Sequence, residues 1–321
     1  MTKISKTMAN LLFNKNFKIF FMLLFCVCSG RAATEISPIL GVGSDTFSFN
    51  IESLGNKTQT LEYVPNIPGL TKYGLSAYGF GASYSTRASV STLDTAKGRS
   101  DFFDLQLGYN NYQWGIDLFV QNYTGFYIQN LSPTSGSNPY FIFPNLKWNH
   151  YGLMGRWAMD NQGFLISALT TQSEQIKKSA GSYFLVGGYR YHSLDNDASI
   201  IPSTLQGINS EMDNLLKMKT NSLNLGVGAG KYWVNDSHFF VGGLFDLLGT
   251  YGLYNYESTT GTSNSSYATL SFDIKLGVGY SGEKFRSGLS IAGDITTLQG
   301  FKSSYIKPSA TQALLYFRIA F

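Results

Sequence analysis

The sequence predicts an all-β fold, a transmembrane antiparallel up-and-down β-barrel of about 12 strands with periplasmic N- and C-termini. Three observations predict it. Apolar residues recur with period two from about residue 73 to the end, in segments that often reach the roughly 9–11 residues a tilted membrane strand needs. Charge is sparse: of 321 residues 14% are charged, 15% are aromatic and 34 are Gly. The chain closes on "ATQALLYFRIAF", where Ala313, Leu315, Phe317, Ile319 and Phe321 share one face opposite Gln312, Tyr316 and Arg318. Such a terminal strand needs a partner to avoid a greasy exposed edge.

The N-terminus reads as a removable secretory signal over residues 1–32. Lys3, Lys6, Lys15 and Lys18 lead into the apolar run Ile19–Cys28, and small residues follow in "SGRAAT". That run is too short to span a membrane comfortably. The formal charge of +4 comes from this segment; setting aside its five basic residues leaves 19 basic against 20 acidic side chains. This balance gives no support for a nucleic-acid partner. Cys26 and Cys28 both lie in the signal, so the exported chain is expected to have no disulfide, thiolate metal site or Cys nucleophile.

Residues 33–72 read as a lead, periplasmic or lumen-filling, and 73–321 as the barrel. Eleven segments show the alternation. They run from "KYGLSAYGFGASYS" through "FFDLQLGY", "WGIDLFVQNYTGFY", "LKWNHYGLMGRWA", "GFLISALTT" and "SYFLVGGYRYH". They continue with "LNLGVGAGKYW", "HFFVGGLFDLLGTYGLY", "TLSFDIKLGVGY", "FRSGLSIAGDITT" and "QALLYFRIAF". Trp114, Ile116, Leu118 and Val120 oppose Asp117 and Gln121; Phe272, Ile274, Leu276 and Val278 oppose Asp273 and Lys275. Tyr and Trp gather near strand ends, as in interfacial girdles.

The tight links "NNYQ", "MDNQ", "VNDS" and "SGEK" are expected at the periplasmic end, with residue 73 opening an outward-running strand. An even strand number then needs one more strand. The preferred place is 197–205, although Pro202 cannot donate to a ladder; the competing place is 45–51. Residues 87–101, 128–145, 255–266 and 298–309 read as outer loops, and 209–219 as a short loop helix.

Two elements resemble an uncharacterised bacterial outer-membrane β-barrel family of unknown function. One is Tyr-x-Pro-Asn (Tyr63, Pro65, Asn66); the other is Gln-x-Tyr-x-Gly-Phe-Tyr (Gln121, Tyr123, Gly125, Phe126, Tyr127). The resemblance implies the architecture and the outer membrane as location, and carries no activity. The C-terminal strand resembles the signal by which outer-membrane barrels are recognised for assembly, with Leu315, Phe317, Ile319 and Phe321 as its residues. Outer-membrane lipid and the barrel-assembly machinery are therefore the expected partners.

The alternation places Asp117, His150, Arg156, Arg190, Asp246, Asp273, Lys275, Arg286, Asp294 and Arg318 in the lumen. Unpaired charges there are costly, so pairing is one expectation; a narrow path selecting polar or ionic solutes is the other. No catalytic residue, metal or cofactor is expected. His150, His192 and His238 show no ligand spacing, and His192 and His238 read as strand-end residues. "DND" at Asp195–Asp197 reads as a turn. The function predicted is a narrow channel or transporter for small polar solutes. The alternatives are a non-conducting structural or surface-interaction barrel and, third, an outer-membrane lipid hydrolase.

Overall fold

A computed structural model describes residues 35–321 apart from 54–59, 89–93, 134–135, 137, 161–162, 170–173, 208–211 and 299–303. The expected signal, 1–32, lies outside the described residues. The chain forms β1 (Ile36–Asp45), β2 (Ser48–Ser53), β3 (Leu61–Val64), β4 (Leu70–Ala77), β5 (Phe80–Arg87), β6 (Asp101–Asn110) and β7 (Trp114–Ile128). There follow β8 (Ile142–Ala158), β9 (Ala180–Asp195), β10 (Leu215–Val234), β11 (Phe239–Ser258), β12 (Gly261–Ser281), β13 (Phe285–Thr296) and β14 (Ser304–Ile319). Neighbours pair antiparallel in one sheet, and β1 pairs with β14 to close it. β1 and β2 form a single stave, broken only at Thr46–Phe47, and β3 with β4 another, so the ring has 12 staves.

The strand number agrees with the sequence, yet three of its parts differ. "KYGLSAYGFGASYS" holds parts of β4 and β5, joined at Tyr78 and Gly79, both at positive φ (55° and 80°). Among its described residues, 163–169, "GFLISALTT" is no strand: Gly163 turns the chain at φ 81° and Ile166–Leu169 wind into a buried 3-10 turn. Residues 197–205 hold no strand either, only coil and the 3-10 turn Ser203–Leu205. The missing stave is β1–β2, so the barrel begins at Ile36 rather than Tyr73, and Tyr73 sits on a strand returning towards the termini. The lead assigned to 33–72 is thus part of the wall from Ile36 onward. On β1 the alternation is blurred, because Leu40 and Val42 point out while Ile39 points in; β2 alternates plainly, with Phe49 and Ile51 inward opposite Ser48 and Asn50, and lies in the competing place for the extra strand, 45–51.

The links holding "NNYQ", "VNDS" and "SGEK" are tight and lie at the same end as both termini; "MDNQ" falls instead at the start of the long link between β8 and β9, which leaves the wall at that end. There Ile36 and Phe321 exchange backbone hydrogen bonds (3.4 and 3.0 Å), which ties down the ends. Residues 255–266 are not a loop but a continuation of β11 and β12 around Thr259–Thr260, largely exposed on both sides. The helix expected at 209–219 is absent among the described residues; Met212–Asn214 turn and β10 starts at Leu215.

At the far end the ring sheds β5 and β6, because β3 pairs directly with β7 (Tyr63↔Ile128). Both family elements build this junction. Asn66 donates from its side chain to Asp94 O and Gly98 O (2.9 and 2.6 Å) and from its backbone to Ser100 Oγ (2.7 Å), which in turn donates to Gly125 O (2.7 Å). Gly125 sits at φ 87° in a register shift of β7, where a Cβ would meet Arg99 O at 2.3 Å; only glycine fits.

The exterior is apolar. On β10 the outward residues Leu223, Leu225 and Val227 are exposed, bounded by Asn221 and Lys231. That stretch, tilted as barrel strands are, covers about 25 Å, the height of a membrane band. At the end bearing the termini Trp114, Tyr183, Trp233, Phe239 and Phe285 ring the belt, with Trp114 against Trp157 at 6.2 Å. At the other rim Tyr151 stacks on Tyr191 at 5.6 Å.

Candidate functional site: a charged layer between two apolar plugs

The lumen is filled in three layers. At the end bearing the termini, the link between β8 and β9 turns inward. Phe164, Leu165, Ile166, Ala168, Leu169 and Ile176 are buried against Phe184, Tyr232, Phe240, Leu244 and Leu248. The wall makes room with inward glycines. A Cβ on Gly115 would lie 2.5 Å from Ile166 Cδ1, on Gly230 2.6 Å from Phe164 Cζ, and on Gly242 2.7 Å from Leu169 Cδ2. The link is anchored by Ile176 N–H donating to Ser281 Oγ (2.7 Å) and Tyr232 O–H donating to Gly163 O (3.1 Å).

At the opposite end an aromatic cluster closes the bore. Phe49 stacks on Tyr63 (4.6 Å, 4°) and on Trp148 (5.0 Å, 19°), and Phe47 stacks on Tyr123 (4.4 Å, 15°). The link between β9 and β10 caps this cluster with buried Ile200, Ile201 and Met212, held by Tyr63 O–H donating to Ile200 O at 2.5 Å.

Between the plugs lies the charged layer. Arg156, 2% exposed, donates from Nε and Nη2 to Asp246 Oδ2 (2.9 and 2.7 Å) and from Nη1 to Asp117 Oδ2 (2.9 Å), and reaches Asp273 at 3.9 Å. Arg190 donates to both oxygens of Asp273 (2.8 and 2.6 Å) and to Thr296 Oγ1 (3.2 Å). Lys275 pairs with Asp117 at 3.3 Å. Strand geometry puts these groups together: Asp246, Asp273 and Asp294 are successive partners across β11, β12 and β13, while the arginines come from β8 and β9.

All ten lumen candidates face inward. Arg286 and Arg318 stand apart, towards the termini. Arg286 donates to Glu35 (2.6 and 2.8 Å) and Arg318 to Ser37 Oγ (2.7 Å) and Ser76 Oγ. His150 packs inward, and His192 joins it: the rings stack at 4.2 Å and 13°, so His192 is a lumen residue, not a strand-end one. β9 runs on to Asp195, past the end read from the sequence. His238 sits in the β10–β11 turn at φ 65°.

The sequence reading missed a second polar group beside the first. Lys72 Nζ donates to Gln106 Oε1 (3.0 Å) and Gln312 Oε1 (3.3 Å). Asp104 accepts from Ser85 Oγ (3.1 Å), and Asp45 accepts from Phe47 N–H (3.1 Å) and Tyr123 O–H (3.3 Å). Asp104 was legible, since it opposes Phe103 and Leu105 on β6; Asp45 and Lys72 were lost with the misplaced start of the barrel. A cavity of about 260 Å³ opens between the two groups, lined by Asp45, Gln106, Asp117, His150, Arg190, Asp294 and Gln312 among others. Among the described residues no cluster of three or more His, Cys, Asp or Glu side chains is placed to hold a metal.

These features define a class: a closed β-barrel with an apolar outer belt and a charged interior flanked towards each end by an apolar cluster. Within that class the chain belongs to the family described as a domain of unknown function (DUF4421), which matches residues 40–317. The Tyr63–Asn66 and Gln121–Tyr127 elements both lie within the matched span. No curated protein matches the sequence. Solved structures with similar architecture include the outer membrane protease OmpT of Escherichia coli, with TM-score 0.43 and 9% identity, covering 91% of this chain and 99% of that one. The translocator domain of the autotransporter NalP from Neisseria meningitidis has TM-score 0.40 and 12% identity, covering 93% and 94%. The COG4313 outer membrane channel from Pseudomonas putida F1 has TM-score 0.35 and 13% identity, covering 91% and 97%. Likeness at this level carries no functional argument.

Proposed function

We propose that the protein is a bacterial outer-membrane barrel that conducts small polar solutes through a normally shut lumen. The single observation that carries this is the origin of the closure. The apolar plug at the end bearing the termini is a non-strand segment seated against wall glycines rather than a part of the wall. Withdrawing such a segment frees that end of the bore without breaking a ladder hydrogen bond; the opposite end opens only if the side chains of Phe47, Phe49 and Trp148 and the link that caps them move as well. The charged layer then lines the path, as rings of charge do in selective pores. Export by the N-terminal signal, periplasmic termini and assembly through Leu315, Phe317, Ile319 and Phe321 belong to the same reading, which involves no catalysis.

The test is single-channel recording in planar bilayers. The native protein should be mostly closed. A variant with 163–173 replaced by a Gly/Ser linker and with Phe47, Phe49 and Trp148 changed to Ala, so that both apolar clusters are relieved, should show discrete, frequent conductance. Silence in both would refute conduction. It would favour the second reading, a non-conducting barrel whose interior is filled by its own ion pairs, which Arg156 with its carboxylates supports.

A further inference from the structure

The charged layer carries one carboxylate too many. Like charges placed directly opposite on neighbouring strands destabilise a sheet, and Asp246, Asp273 and Asp294 form such a row. Two guanidiniums answer it: Arg156 holds Asp246 at 2.7 Å and Arg190 holds Asp273 at 2.6 Å. Asp294 makes no hydrogen bond and no ion pair within 4.0 Å among the described residues, and it lines the cavity of about 260 Å³.

A second unfilled group lines the same cavity. His150 is 5% exposed. Its Nδ1 lies 3.3 Å from Gln121 Oε1, an acceptor, so Nδ1 carries the hydrogen and Nε2 presents a lone pair. That Nε2 is buried and without a partner among the described residues. A buried acceptor without a donor and an unpaired carboxylate, both on the walls of one cavity, leave two sites for the same kind of guest.

We propose that this chamber binds a small organic cation, with Asp294 pairing its ammonium group and His150 Nε2 accepting a further hydrogen bond. An ammonium brings both the missing positive charge and three N–H donors. A bare metal ion fits less well, because no set of ligating side chains converges among the described residues and the cavity is far larger than an ion.

The test loads the chamber during folding, so it does not depend on whether the lumen opens. The full chain is unfolded in urea and refolded into detergent micelles with 1,4-diaminobutane. Parallel samples receive NaCl or CaCl₂ at matched ionic strength, 1,4-butanediol or succinate. A ligand that binds only the folded state raises the urea midpoint with concentration. Diaminobutane should raise it, and butanediol and succinate should not. Asp294→Asn, which relieves the carboxylate row and so folds, should weaken apparent affinity roughly tenfold or more, the cost of losing one charge-assisted pair. Asp294→Glu should retain more of it, and Ser182→Ala, in the lumen near the end bearing the termini where the hydroxyl bonds Asp160, should bind as the native chain does. No shift with diaminobutane, an equal shift with either salt, or undiminished binding by Asp294→Asn would overturn the proposal. Any of these results would leave the conduction reading, which is measured separately, standing.

Discussion

Arg156→Met tests whether the lumen charges sit in a low-dielectric interior. The guanidinium is 2% exposed and donates two hydrogen bonds to Asp246, itself 0% exposed, and one to Asp117. Methionine keeps much of the bulk and removes the charge. Asp117 still has Lys275 at 3.3 Å, and Asp273 still has Arg190 at 2.6 Å. Asp246 loses its ion-pair partner and is left buried. Breaking a buried pair in this way costs about 3–5 kcal/mol, and the two surviving pairs put the expectation at the lower end, about 3 kcal/mol. The exposed pair Lys217–Asp195, at 3.8 Å with side chains 40% and 46% exposed, serves as control; Lys217→Met should cost under about 1 kcal/mol. Joining Arg156→Met to Asp246→Leu should restore stability to within about 1 kcal/mol of native, because the orphaned charge goes too. The assay is urea unfolding in micelles followed by tryptophan fluorescence. Equal, small losses for Arg156→Met and Lys217→Met would refute the reasoning and mean that the layer is solvated as fully as the surface.

Three further outcomes follow from the packing. Gly230→Val places carbon against Phe164, where even a Cβ lies 2.6 Å from Cζ; it should cost about 1–3 kcal/mol by overpacking and raise channel open time in bilayers. Asn66→Ala removes the side-chain donor to Asp94 O and Gly98 O. It should cost about 1–3 kcal/mol and speed proteolysis within 88–100 while the rest of the barrel stays resistant. Truncating Phe321 together with Phe317→Ser should lower the folded fraction in membranes, read as the heat-modifiable band on gels, while leaving secretion unchanged; unaltered assembly would remove that role from the C-terminal strand.

The parts of the fold most legible in the sequence are those where one face meets lipid and the other meets a polar lumen. β12 is the clear case, with Phe272, Ile274 and Leu276 outside and Asp273 and Lys275 inside. Legibility fails where the lumen is itself apolar. β1 carries Ile39 inward and Leu40 and Val42 outward, with glycines between, so period two fades there, and 163–169 shows an apolar run although it folds as a plug. Inward glycines such as Gly230 and Gly242 look like weak strand positions until Phe164 and Leu169 are seen against them. Facing was readable residue by residue; partnership was not. That Arg156 meets Asp246 and Arg190 meets Asp273 depends on the tilt and stagger that bring β8 and β9 opposite β11 and β12, which no local pattern encodes.

The most direct measurement takes single cysteines in a chain with Cys26→Ser and Cys28→Ser, reconstituted in vesicles. Fluorophores are placed at Leu225→Cys on the outer face of β10 and at Asn255→Cys on the projecting β11–β12 hairpin, and are exposed to brominated lipids and to iodide. The label at 225 should be quenched by the brominated chains and shielded from iodide, and the label at 255 should behave the opposite way. Iodide access at 225 equal to that at 255 would mean that the belt faces water, and the barrel would not span a membrane.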